Sequence, residues 1–240
     1  MKIAIGNDHA GTEYKLAIIG LLKSLHIEVN GLLKDFYNVV VNNDPAYYVY
    51  PGQDGLTINN DLLVTAGLFN GNARDIEIKN NFQATGGTFG TAYAGNFLLS
   101  KPAGTANIQM NGSIIRDLEI NSGATYTMID DMGISGNMGI ISGSVNGNGN
   151  DLSINTAGRN LEVYGEYIVG AGGSINMGSS ASLIIHPTGT LEVVGSSVSN
   201  AKVTNITGRY NFLVNGTIKA ENYLFEYMDL PGLRVSNTAT

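Results

Sequence analysis

Residues 55–67 read GLTINNDLLVTAG, and the triplet Leu56-Thr57-Ile58 within them sets the pattern that decides the fold. It has the form apolar, any residue, apolar, and Asn59 and Asn60 close it. Working outward, the same form stands upstream at Val39/Val41. Downstream it returns at Ile76/Ile78, Phe97/Leu99, Leu118/Ile120, Leu152/Ile154, Leu161/Val163, Leu183/Ile185 and Leu191/Val193. Alternation with a period of two is the mark of a strand with one buried face. The starts at Leu56, Ile76, Phe97 and Leu118 recur about every twenty residues, the period of a solenoid. In such a chain no turn buries its apolar side alone, and each does so by stacking on the next. The paired apolar residues therefore point inward, while Thr57, Glu77, Glu119, Ser153, Glu162 and Glu192 point outward.

Two solenoids share this period. Leucine-rich repeats need a helical segment in each turn, but connections such as Ser142 to Asn150 (SGSVNGNGN) are poor helix formers. The fold expected is all-β, a right-handed parallel β-helix. Asn42, Asn59, Asn121 and Asn155 each follow the second apolar residue of a pair, which suits a left-handed turn or a stacked amide ladder. The interval from Ile120 to Leu152 holds either a longer turn or a further rung at Met138 to Ser142.

Composition narrows the function. Gly supplies 32 of 240 residues and charged residues only 14%, which excludes a helical bundle. Without Cys there is no disulfide framework or thiolate zinc site, and three His do not suggest an all-imidazole metal centre. A net charge of −7 with 13 thinly spread Lys and Arg argues against nucleic acid as a partner. No apolar run is long enough for a membrane span, and the opening lacks the order of a signal peptide.

The first 34 residues are written differently. Lys2 to Gly6 is a short β-branched run, and Tyr14, Ile18, Leu21, Leu22 and Leu25 then follow at helical spacing, with Thr12 placed to cap. The chain is expected to divide into a βα unit at 1–34 and a β-helix at 35–240. The opening MKIAIGNDHAGTEYKL resembles the start of ribose-5-phosphate isomerase B, over Met1 to about Asn30. That resemblance implies that Asp8 and His9 line a sugar-phosphate pocket at a strand's carboxyl edge. The isomerisation also needs a base, usually a Cys, and a Gly-rich loop for the enediolate. This chain has no Cys, and its clusters Gly86 to Gly90 and Gly170 to Gly173 do not lie between a parallel strand and a helix. Asp8 and His9 thus form half a pocket, and the βα unit can instead cap the first rung.

Residues 35–235 are similar to the adhesin-like β-helix repeats of secreted bacterial surface proteins. FYNVVVNN at Phe36 to Asn43, GLTINNDLLVTAG, and the DLEIN and DLSIN strands at Asp117 and Asp151 carry that similarity. It implies a structural or adhesive module without catalysis, extracellular or on a cell surface, part of a longer polypeptide, with a glycan or protein as partner.

β-Helices also carry carbohydrate-active enzymes, which need clustered acidic groups. Asp130 and Asp131 are the one adjacent carboxylate pair, and neighbours in a strand point to opposite faces. Glu77, Glu119, Glu162 and Glu192 share a strand position, so they can stack on one solvated face. Glu162, Glu192 and Arg159 form the best catalytic grouping. Gly147, Gly149 and Asp151 give one partial calcium nonapeptide, which would need stacked copies. His186 ends a strand and reads as surface. Asn111, Asn205 and Asn215 head glycosylation sequons. Tyr223, Phe225 and Tyr227 alternate like a final capping strand or a sugar-stacking platform. No catalytic residue, metal or cofactor is assigned; binding is placed at Asp8 and His9 only if the isomerase-like pocket is retained.

Overall fold

The computed structural model describes residues 35–42, 55–71, 74–90, 95–236 and 239. These residues are all-β, with parallel strands stacked into a β-solenoid of about eight turns. The expected βα unit, with Asp8 and His9, lies outside them. Among the described residues no helix is long and apolar enough to cross a membrane.

Each turn visits three faces. The first face begins with Asp35–Phe36, Leu56–Ile58, Ile76–Ile78 and Asn96–Leu99. It continues through the leading parts of Asp117–Met128 and Met138–Asn146 to Asn160–Val163, Ser182–Ile185, Tyr210–Val214 and Met228–Val235. The second runs from Val39–Asn42, Leu62–Ala66, Phe82–Ala84 and Gly104–Gln109 through the trailing parts of the two long strands. It ends with Glu166–Val169, Thr190–Val194 and Thr217–Glu221. The third opens with the pair Leu68–Phe69 and Thr88–Phe89, then stacks Ile114–Ile115, Met132–Ile134, Leu152–Ile154, Ser174–Met177, Ala201–Asn205 and Tyr223–Phe225.

Register turns this winding into columns. On the first face Leu56, Ile76, Phe97, Leu118, Met138, Leu161, Leu183, Phe212 and Leu233 are successive partners. On the third, Met132, Leu152, Ile175, Val203 and Phe225 do the same. All but the last residue of each column are buried. Alternation puts every second side chain inward, and parallel in-register pairing stacks those side chains, so the strands share one dry interior. Aromatics widen it locally: Phe82 packs on Phe89 and Phe97 at centroid distances of 4.3 and 5.0 Å. Tyr126, Tyr167 and Tyr210 are fully buried.

The interval between Ile120 and Leu152 holds a complete rung, because Met138 and Ile140 pair with Leu118 and Ile120. The apolar pairs of the sequence do not all belong to one series. Val39/Val41 and Leu191/Val193 lie on the second face and Leu152/Ile154 on the third. All three faces use the same triplet form, so the letters alone merge them.

Polar corners tie the turns together. Asn60 donates to Asn38 Oδ1 at 3.0 Å, and Asn80 donates to Asn60 Oδ1 at 2.9 Å and Asp61 Oδ1 at 2.8 Å. The amide ladder is real but sits one residue beyond Asn59, whose own Oδ1 accepts from Lys79 Nζ at 3.0 Å. Asn121 Oδ1 accepts from Ser142 Oγ at 3.0 Å.

Candidate functional site

Val163 and Ile185 are register partners on the first face. The residues that follow them, Tyr164 and His186, therefore fall on successive turns at the corner between the first and second faces. Their rings stack at 3.6 Å with 6° between planes. Glu162 points outward from the same strand. Its Oε2 accepts from the Tyr164 hydroxyl at 3.3 Å and lies 3.1 Å from His186 Nε2. Its Oε1 accepts from Asn160 Nδ2 at 3.4 Å. Partial removal from water, and then the Glu162 carboxylate, raise the Tyr164 hydroxyl pKa. The cluster is a carboxylate, an imidazole and a phenol held on one rigid corner, able to bind hydroxyls or share a proton.

Glu162 belongs to an outward column in which Glu119, Gly139 and Glu162 are consecutive partners. The two carboxylates thus rise from strands two rungs apart, ~9.6 Å at the usual inter-strand spacing, with a bare glycine between. Glu77 lies further along the same column. It is engaged by its neighbours, accepting from Thr57 Oγ1 at 3.3 Å and Ser100 Oγ at 2.6 Å.

Glu192 does not join them. It stands on the second face between Ile168 and Lys219 and is bonded to the Lys219 ammonium, whose pKa it raises. Four glutamates in one sequence pattern come from two faces, for the reason given above. Arg159 stands before the strand that carries Glu162, at the corner between the third and first faces. The grouping of Glu162, Glu192 and Arg159 is thus replaced by Glu162 with Tyr164 and His186. Sequence reasoning missed Tyr164. The signal was available: Tyr164 and His186 both directly follow an inward pair, one repeat apart.

The other candidates have structural partners. Asp130 accepts from the backbone N–H groups of Met110 and Asn111, both at 2.6 Å, and Asp131 from that of Asp151 at 2.8 Å. The adjacent carboxylates reach one turn back and one turn forward, and do not converge. Asp151 accepts from Ser174 Oγ at 2.7 Å, and Gly149 takes a left-handed turn at φ 79°. Among the described residues no three His, Asp or Glu side chains converge to hold a metal. The sequon amides of Asn111 and Asn205 donate to the carbonyls of Gly87 and Gly208.

Tyr223 and Phe225 end the third face, with Phe225 edge-on to Phe212 at 5.5 Å. The strand stops there, so Tyr227 does not continue the alternation. Tyr227 is in a left-handed conformation at φ 58° and exposed. Comparison with known protein families, curated sequences and solved structures finds no match, so the likeness of residues 1–30 to ribose-5-phosphate isomerase B and of 35–235 to adhesin-like repeats rests on the residues quoted above.

Proposed function

We propose that this chain is a structural or adhesive module that works at a cell exterior by holding a regular outer surface toward a glycan or protein partner, without turnover. The observation that supports this reading is the engagement of Glu77, Asp130, Asp131 and Asp151 in bonds between neighbouring turns. A carboxylate anchored to the next rung stiffens the wall and is poorly placed to move protons on a substrate. The test is binding of the purified chain to immobilised cells and to a glycan panel, run beside a screen of the same panel for release of shortened or unsaturated sugars. Saturable binding without product is expected. Product release would overturn the reading, and so would absence of binding to any cell or glycan.

A carbohydrate-active reading draws on Glu119 and Glu162 facing across Gly139, beside the Tyr164 and His186 stack. Two carboxylates on one face are the groups that glycoside hydrolysis uses as acid and base. On this reading Glu162→Gln abolishes a turnover that the intact chain shows. A blank screen with the intact chain removes it.

A further inference from the structure

The chain has five arginines, and four of them stand on one edge of the solenoid. Arg74, Arg116, Arg159 and Arg209 each fall between a third-face and a first-face strand, in alternate turns. The turns between them present small residues. Gly95 lies so close that an added Cβ would come within 2.1 Å of the Arg74 carbonyl oxygen. Gly136 N donates to the Arg116 carbonyl at 2.6 Å, and an added Cβ there would come within 2.1 Å of Asp117 Oδ1. Ser182 N donates to the Arg159 carbonyl at 3.1 Å and Ser180 N to that of Arg209 at 2.6 Å. The edge therefore reads arginine, small, arginine, small, with successive guanidinium stems two rungs or ~9.6 Å apart.

The acidic groups beside this row are already engaged. Asp75 Oδ1 accepts from Asn96 N at 3.1 Å and Asp117 Oδ1 from Asn137 N at 2.7 Å. Asp117 Oδ2 also pairs with Arg116 Nε at 3.1 Å, fixing a guanidinium that remains 59% exposed. Arg209 Nη1 donates to the Met228 carbonyl at 2.8 Å, and each guanidinium has five N–H donors in all. The third face next to the row is uncharged along its central outward column, Gly133, Ser153, Asn176 and Thr204. The outward glutamates Glu77, Glu119, Glu162, Glu166 and Glu192 lie on the other two faces. Glu226, just past the last third-face strand, is the one glutamate at this corner among the described residues, and it accepts from Thr204 Oγ1 at 3.3 Å. Asp130, Asp131 and Asp151 mark the opposite margin of the third face and bond to neighbouring turns.

We infer that this edge and the third face bind an extended acidic polysaccharide carrying one carboxylate per disaccharide. The inference rests on the glycan-binding form of the proposed function. An extended glycan repeats every two sugars over about two rung spacings, so carboxylates on alternate sugars match arginines on alternate turns. A planar guanidinium fork pairs with a carboxylate in two parallel bonds, and the hydroxyls between meet Ser153 and Asn176. Each contact is weak singly, and the row gains strength by engaging them together.

The test titrates the full chain with oligosaccharides of alternating glucuronate and N-acetylglucosamine, with the same oligosaccharides after carboxyl reduction, with neutral chitin oligosaccharides, and with polyglutamate. Affinity should climb in steps of two sugars up to about eight and fall with salt. Arg159→Ala and Arg116→Ala should each weaken binding about tenfold, with Arg159→Lys restoring only part of the loss. Circular dichroism and urea midpoints near those of the parent would show that the Arg159 variants remain folded. Equal binding of the carboxyl-reduced sugar or of polyglutamate overturns the inference. So does preference for the neutral oligosaccharide, which leaves the adhesive reading intact. Failure to bind any glycan or cell overturns both.

Discussion

Asp130 and Asp131 show what one residue contributes in this architecture. Two adjacent carboxylates look the same in sequence whether they serve catalysis or clamp the wall, since the partners that decide lie about twenty residues away. Asp130 receives two N–H groups from the preceding turn. Asp130→Ala should cost about 2 kcal/mol, since hydrogen bonds to a charged group contribute more than neutral ones. Urea unfolding measures this, and an unchanged midpoint would refute the clamp. The buried tyrosines give a second test. Burial pushes the Tyr126 hydroxyl up to about 12, against the bond from the Lys101 backbone, and burial raises Tyr167 and Tyr210 in the same direction. A phenol with a raised folded-state pKa stabilises fully below its ordinary value of 10.0. That contribution is lost as pH rises through the folded value. Stability should therefore fall above about pH 10, and the last part of the tyrosinate absorbance, that of the three buried phenols, should appear only together with loss of β-sheet ellipticity. Tyrosinate appearing in full while the sheet signal is intact would contradict the burial.

The strands were the legible element, and the corners were not. Alternation follows directly from the pleat, so Leu56/Ile58 and Leu161/Val163 declare an inward pair without further information. Which of three faces a pair occupies depends on the corner before it, and corners vary. Three residues separate Ile58 from Leu62, whereas Asp117–Met128 rounds the same corner as one continuous strand. Glu192 was misplaced for this reason, and so was the Asn ladder by one position. The last described turn shows a different use of elements. Met228–Val235 pairs with Tyr210–Val214 through Met228 and Leu233, and the residues between bulge outward with Leu230 82% exposed. Pro231 cannot donate to a further strand, and Lys219 and Glu221 stand on the neighbouring edge strand Thr217–Glu221. Proline, a bulge and charge are the devices that keep an edge from recruiting another chain. Replacing Lys219 and Glu221 together by Val should promote end-to-end association. Light scattering would show growth with concentration for this variant and none for the parent; a monodisperse variant would deny the edge its guarding role.

At the scale of the whole molecule, the columns make stability a property of neighbouring turns. Leu161 sits between Met138 and Leu183 in the first-face column and is fully buried. Leu233 occupies the last place in that column and is only partly buried. Truncating a buried leucine removes its contacts and leaves a cavity, so Leu161→Ala should cost about 2 to 5 kcal/mol. Leu233→Ala, which meets a neighbour on one side only, should cost clearly less. The distribution of the damage distinguishes a solenoid from a globule. In a stack where each turn touches only the next, the weakness spreads to the adjoining rungs and fades with distance. Hydrogen exchange in Leu161→Ala should therefore accelerate most from Met138 to Ile185 and leave the turns around Ile76 near their original protection. Uniform acceleration along the chain would mean that the core unfolds as one unit, and neighbouring turns would not be the unit in which this fold is stabilised.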